Sequence, residues 1–186
     1  MQRVAPAWRN WAGHLRAAWR GLLAAAIAVG LCAPWFAVAA DAVAVVGDVR
    51  RSITIDVAAL RAFPAPSQVS FRASREVDGQ TPTASEVKGV RLLALLEQAG
   101  LSERDRFDWR KTIVVAIARD GYRVVFSWPE LANTAGGAQV MVAYERDGAV
   151  LSEQEGPFAI HAPSDTRTGP RHVKWLQRIE VRVLRD

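Results

Sequence analysis

Three Asp-Gly pairs, at 78–79, 120–121 and 147–148, punctuate the chain between short apolar runs. Asp-Gly tolerates the backbone of tight hairpin turns, so each pair predicts a reversal of direction. Residues 112–119 and 122–128 flank the second pair and predict a hairpin, and residues 139–145 predict a strand running into the third. Residues 42–46 and 52–55 predict strands around Gly47-Asp48, with Ser52-Ile53-Thr54-Ile55 alternating as a half-buried strand does. A strand over 68–73 would put Val69, Phe71 and Ala73 on one face, and residues 179–183 alternate with Glu180 and Arg182. The expected helices are short. Asp56 can cap a turn over 57–63 that Pro64 and Pro66 end. Residues 90–99 carry a leucine stripe up to Gly100, and Ser127-Trp128-Pro129-Glu130 is a capping box that opens a third helix. Punctuation this dense excludes the strand–helix rhythm of a doubly wound sheet. The fold class expected is α+β: β-rich and mixed, with short helices.

Charge divides the chain in two. Of 24 Lys and Arg residues, Arg3, Arg9, Arg16 and Arg20 lie in the first forty positions, which hold no Asp or Glu; the remainder sets twenty basic against nineteen acidic residues. A nearly neutral body gives little support to the phosphate neutralisation that nucleic-acid binding needs, so nucleic acid is not an expected partner. Residues 21–40 are apolar and uncharged and end in Ala37-Val38-Ala39, a small-x-small pattern suited to a signal peptidase. Residues 1–40 are therefore expected to be a cleavable signal peptide of the general secretory route. Residues 41–186 would then form one periplasmic or secreted domain with no membrane span after cleavage. Leu31 does not suit a lipoprotein signal at Cys32, and Arg50-Arg51 follows the apolar run, so no twin-arginine signal for export of a folded protein is present. Cys32 is the single cysteine. Its loss with the leader would leave no disulfide, no thiolate nucleophile and no sulfur metal ligand.

Four segments, in order, carry a resemblance. Val87-Lys88-Gly89-Val90-Arg91-Leu92-Leu93 resembles the helix entry of the sulfite-oxidase-type molybdopterin-binding domain. Asp120-Gly121-Tyr122 with Phe126-Ser127 resembles its hairpin, and Asp147-Gly148 with Gly156-Pro157-Phe158 its turn and following strand. Val173-Lys174-Trp175-Leu176 resembles its closing strand. The resemblance spans about residues 45–183 and implies the fold of that family. It also implies a cysteine ligand to molybdenum just after the strand corresponding to 68–72, where this chain reads Phe71-Arg72-Ala73-Ser74-Arg75. A soft thiolate donates strongly to a high-valent metal; a serine hydroxyl, protonated at neutral pH, does not replace it.

The loop from His161 to His172, followed by Lys174, is the most polar stretch. The resemblance implies that it helps cradle a pterin phosphate. Arg167, Arg171 and Lys174 are the candidate anion donors, with Gly169 allowing close backbone approach. Arg72 and Arg75 flank the vacated cysteine position and are candidates for a carboxylate, sulfate or phosphate. His161 is a candidate ligand-binding residue. With His172 it offers two imidazoles without an evident third ligand, so no metal ligand set and no catalytic residue are expected. Trp109, Trp128 and Trp175 are expected in the core or at caps. The function expected is a binding module for a small anion or an envelope partner protein, with no cofactor. The alternative is an active molybdopterin-dependent oxidoreductase that holds its cofactor without a cysteine.

Overall fold

The computed structural model describes residues 41–75 and 83–185. The leader, with Cys32, and the Asp78-Gly79 turn lie outside the described residues. Two five-stranded sheets enclose the core. Strands β1 (Val43–Gly47), β2 (Ile53–Ile55), β5 (Thr112–Ala118), β6 (Arg123–Ser127) and β10 (Leu176–Val183) form the first, in the order β2-β1-β10-β5-β6. Strands β3 (Gln68–Arg75), β4 (Thr83–Arg91), β7 (Met141–Arg146) and β8 (Ala149–Val150) form the second in that order, with β9 (Ala159–His161) paired to β7. The C-terminal strand β10 sits centrally, parallel to β1 and antiparallel to β5. The sheet is thus mixed, as the irregular punctuation predicts.

The expected helices form where their caps stand. Asp56 Oδ1 accepts from the Ala59 N–H at 2.7 Å to open α1 (Val57–Arg61), and both bonds of the capping box are made at α3 (Trp128–Asn133). The third, α2 (Leu92–Ala99), begins two residues later than its leucine stripe suggests, because Val90 and Arg91 end β4. Strand β4 escaped the sequence reading: its pattern is clean only at Val87 and Val90, which are fully buried.

Leu60 of α1, Leu92, Leu95 and Leu96 of α2 and Leu131 of α3 are fully buried against Val43 and Val45 of β1 and Ile179 and Val181 of β10. Burying each such side chain stabilises by about 1.5–3 kcal/mol. The second sheet is apolar on both faces. Val90, Val142 and Ile160 join this core, while Val87, Met141, Ala143, Leu151 and Ala159 form a smaller cluster with Val69, Phe71 and Ala73. Trp109 and Trp128 pack partly buried against the main core, as expected. Trp175 does something more specific. Its backbone is left-handed, φ 49°, and the Arg119 guanidinium lies 3.7 Å from its ring centre. Its N–H donates to the Glu155 carbonyl at 2.8 Å, and its ring lies against Gly156.

Gly156 has φ 81°, and a Cβ there would fall 2.6 Å from the Trp175 ring. Gly121 has φ 88° with open space around it. Gly121→Ala is therefore expected to cost only left-handed strain, about 1–2 kcal/mol. Gly156→Ala adds a clash with a pinned ring and is expected to cost about 2–4 kcal/mol, read from urea unfolding midpoints. Equal midpoints would refute the packing role of Trp175.

Candidate functional site

Ile160 and Val173 form an antiparallel bridge, exchanging N–H···O bonds of 2.8 and 3.1 Å. The residue after Ile160 and the residue before Val173 therefore stand opposite one another on one face. These are His161 and His172, and their ring centres lie 4.1 Å apart, inclined at 32°. Glu155 reaches the pair from the turn before β9. Its N–H donates to the Ser152 carbonyl at 2.9 Å, and its own carbonyl takes the Trp175 N–H.

Both imidazoles aim Nε2 at Glu155 Oε1, at 2.8 Å from His161 and 3.0 Å from His172. Arg146, at the end of β7, donates Nη2 to both carboxylate oxygens at 2.9 Å and Nε to Oε2 at 3.2 Å. Its Nη1 donates to Ser85 Oγ at 2.7 Å. Glu155 is 6% exposed and His161 8%. Burial alone would raise the Glu155 carboxyl, but hydrogen bonds from His161, His172 and Arg146 outweigh it and hold the group well below the ordinary carboxylate range. Burial likewise pulls His161 below its ordinary value, against the opposing hydrogen bond to Glu155. The buried ion pair is thus Glu155 with Arg146, and His161 is a neutral donor to it. An ionised carboxylate can only accept, so the proton facing it on each ring sits on Nε2.

This network floors a cavity of about 740 Å³ lined also by Phe71, Arg72, Ser152, Thr168 and Lys174. Phe71 places its ring centre 5.3 Å from that of His161. The volume lies within the roughly 300–1,000 Å³ usual for small-molecule sites. The fold brings Arg72, His161 and Lys174 to this one cavity. Arg72 alternates with Phe71 and Ala73 on β3 and so leaves the strand on the face opposite theirs. Lys174 is exposed at the rim and forms no ion pair among the described residues. Arg167 is exposed and lies outside the lining. Arg171 also lies outside it, where Asp165 and Glu130 take up its guanidinium: Nε donates to Asp165 Oδ2 and Nη1 to Glu130 Oε1, each at 2.6 Å, and Nη2 to Asp165 Oδ1. Glu130 is the capping-box glutamate, so Arg171 ties the polar loop to α3. That pairing is structural work, and it leaves Arg171 outside the cavity lining where the expected anion donors would stand. Gly169 has open space where a side chain would stand, and it follows Thr168 of the cavity lining. Of Arg75, only its backbone pairing with Thr83 is described.

The sequence reading missed Glu155 and Arg146, and with Glu155 it missed the third donor of the His161–His172 pair. Three donor atoms, one from each of these residues, lie within 4.8 Å of one another. The expectation of no metal ligand set rested on that missing third residue and is corrected here. The available signals were Glu155 directly before Gly156-Pro157 and an arginine at the end of a strand whose first four residues are Met, Val, Ala and Tyr.

The family model of the oxidoreductase molybdopterin binding domain matches residues 34–184. The chain belongs to that family. Among solved structures, the sulfane dehydrogenase SoxCD from Paracoccus pantotrophus is similar, with a TM-score of 0.58 and 19% identity. The match covers 77% of this chain and 38% of that one, so the chain spans well under half the length of SoxCD, and the likeness is one of fold. No curated protein sequence matches this chain. The β-rich mixed fold expected from the punctuation and the four segments is the family's fold. The donor set does not fit a thiolate-held molybdenum centre: the cavity is lined by nitrogen and oxygen groups, and residues 41–186 contain no cysteine.

Both groups with lowered values bind fewer protons folded than unfolded. As pH falls, the unfolded chain therefore takes up protons first and gains on the native state. In chelator-treated protein, stability is expected to decline first as pH falls through about 6.5, where unfolded His161 protonates, and again below about 4.5, from Glu155. Urea midpoints between pH 8 and pH 3 check the sign; a midpoint that rises toward acid would contradict it. Glu155→Gln breaks a buried pair and is expected to cost about 3–5 kcal/mol at pH 7.5.

Proposed function

We propose that this is an exported protein whose molybdopterin-domain cavity binds a small anion and holds no redox molybdenum. The observation that carries the reading is the cavity floor: Glu155, His161, His172 and Arg146 in one hydrogen-bonded set, with no sulfur donor. The family's chemistry rests on a soft ligand tuning the metal, and a hard donor set cannot substitute for it. No redox step is therefore assigned to this chain.

An anion is the favoured ligand because the lining carries Arg72 and Lys174 in addition to the Arg146 that pairs with Glu155. Arg146 keeps Nη1 turned to Ser85 at the wall, and Lys174 stands at the rim without a carboxylate partner among the described residues. A phosphate or sulfate group at that rim would take a charge-assisted hydrogen bond from Nζ. Export is supported by the basic and then apolar first forty residues, which suit a general secretory signal and delivery to the periplasm or beyond.

Inorganic pyrophosphate is the probe. The reading predicts saturable binding by calorimetry, weakened about tenfold or more by Lys174→Ala, since a charged hydrogen bond contributes about 1.5–3 kcal/mol. Arg171→Ala should instead lower thermal stability and leave affinity nearly unchanged. Elemental analysis of the exported protein should give no stoichiometric molybdenum. One molybdenum per chain would overturn the reading in favour of an active molybdopterin-dependent oxidoreductase. Absence of anion binding together with a stable envelope partner would replace the ligand with a protein.

A further inference from the structure

We infer that Glu155, His161 and His172 form a binding site for a borderline divalent cation, zinc above all, that opens onto the cavity. Two imidazoles and one carboxylate are a donor set that suits zinc, with the fourth position left to water or a ligand. Here the three donors come from separate backbone segments that hydrogen bonds fix independently. The Ile160–Val173 bridge holds the two histidines opposite each other. The Ser152 and Trp175 bonds hold the turn that carries Glu155. Such a site is formed before any ion arrives, so binding need not order a loop.

The distances suit an ion-free site. Glu155 Oε1 stands 2.8 and 3.0 Å from the two Nε2 atoms. Tetrahedral zinc with bonds of about 2.0–2.1 Å separates its ligands by roughly 3.3–3.4 Å. An outward movement of a few tenths of an ångström would admit the ion. The partly exposed His172 side chain, at 23% against 9% for His161, faces the cavity and can supply the movement on its side, while the His161 gap widens by a shift of the Glu155 carboxylate. Coordination requires both Nε2 atoms as lone-pair donors, so each neutral ring would carry its proton on Nδ1 instead.

Arg146 is the obvious competitor, because its charge already neutralises the carboxylate. Its contacts are uneven, however. Nε and Nη2 both reach Oε2, while Oε1 receives Nη2 alone. A cation on Oε1 would leave the two bonds to Oε2 in place. Arg146 would then orient the ligand carboxylate, as outer-shell partners of metal ligands do. The opening lies toward Lys174 and Thr168 at the rim, so an anion could approach the fourth position from the cavity.

The test uses the untagged exported protein after dialysis against EDTA, titrated with zinc chloride in a weakly coordinating buffer at pH 7.5. One zinc per chain is expected by calorimetry. Cobalt(II) should give the visible d–d bands of a low-coordinate nitrogen and oxygen site, and the histidine side-chain NMR spectrum should switch from Nε2–H to Nδ1–H on zinc addition. His172→Ala, at the most exposed of the three positions, should abolish the stoichiometric step while circular dichroism stays native. No zinc uptake by the wild-type protein, or uptake unchanged in His172→Ala, would overturn the site. Pyrophosphate binding measured on the EDTA-treated protein is independent of this inference, so loss of one result leaves the other standing.

Discussion

One carboxylate oxygen, Glu155 Oε1, accepts from His161, His172 and Arg146, and the cavity is built around that convergence. A buried charge is tolerable only when paired and hydrogen-bonded. Each of the three donors comes from a different part of the chain: β7, β9 and the segment leading into β10. The network therefore fixes the ends of three elements against one another at the edge of the second sheet. Gly156 and Trp175 belong to the same design. The glycine lets the turn pass under the ring, and the backbone N–H of Trp175 anchors the turn that presents the carboxylate.

Membership in the molybdopterin-binding family supplies the scaffold, and the side chains around the cavity supply its donor set. The position that the resemblance assigns to a metal-binding thiolate is here a strand of Phe71, Arg72 and Ala73 beside the cavity. Phe71 packs on His161, so the apolar end of the cavity has become a support for an imidazole. A cavity floored by imidazole and carboxylate groups with a lysine at its rim is consistent with the proposed anion and borderline-cation binding. The fold alone does not decide between them.

The fold was legible wherever local chemistry decides structure. Asp56, the capping box at Ser127 and the turn at Asp120-Gly121 act through bonds to their own neighbours, and each element formed where those residues stand. Strand β4 was not legible, because its burial comes from pairing with β3 and β7, which local pattern does not report. The site divided along the same line. His161 and Lys174, singled out at and just after the polar loop, both line the cavity. The partners of Arg171 were not legible, because they include Glu130, 41 residues away, which only the fold brings near. Glu155 was missed for a related reason: a lone glutamate before Gly-Pro reads as a turn residue until the bridge between Ile160 and Val173 places two imidazoles over it.

The central claim is that an ionised Glu155 receives an Nε2–H from each of two histidines. Long-range ¹H–¹⁵N correlation of the histidine side chains, recorded on EDTA-treated protein at pH 7.5, tests it most directly. The account predicts Nε2 protonation on both His161 and His172, with slowly exchanging Nε2–H resonances that vanish in Glu155→Ala. Nδ1-protonated rings, or resonances indifferent to that substitution, would contradict it.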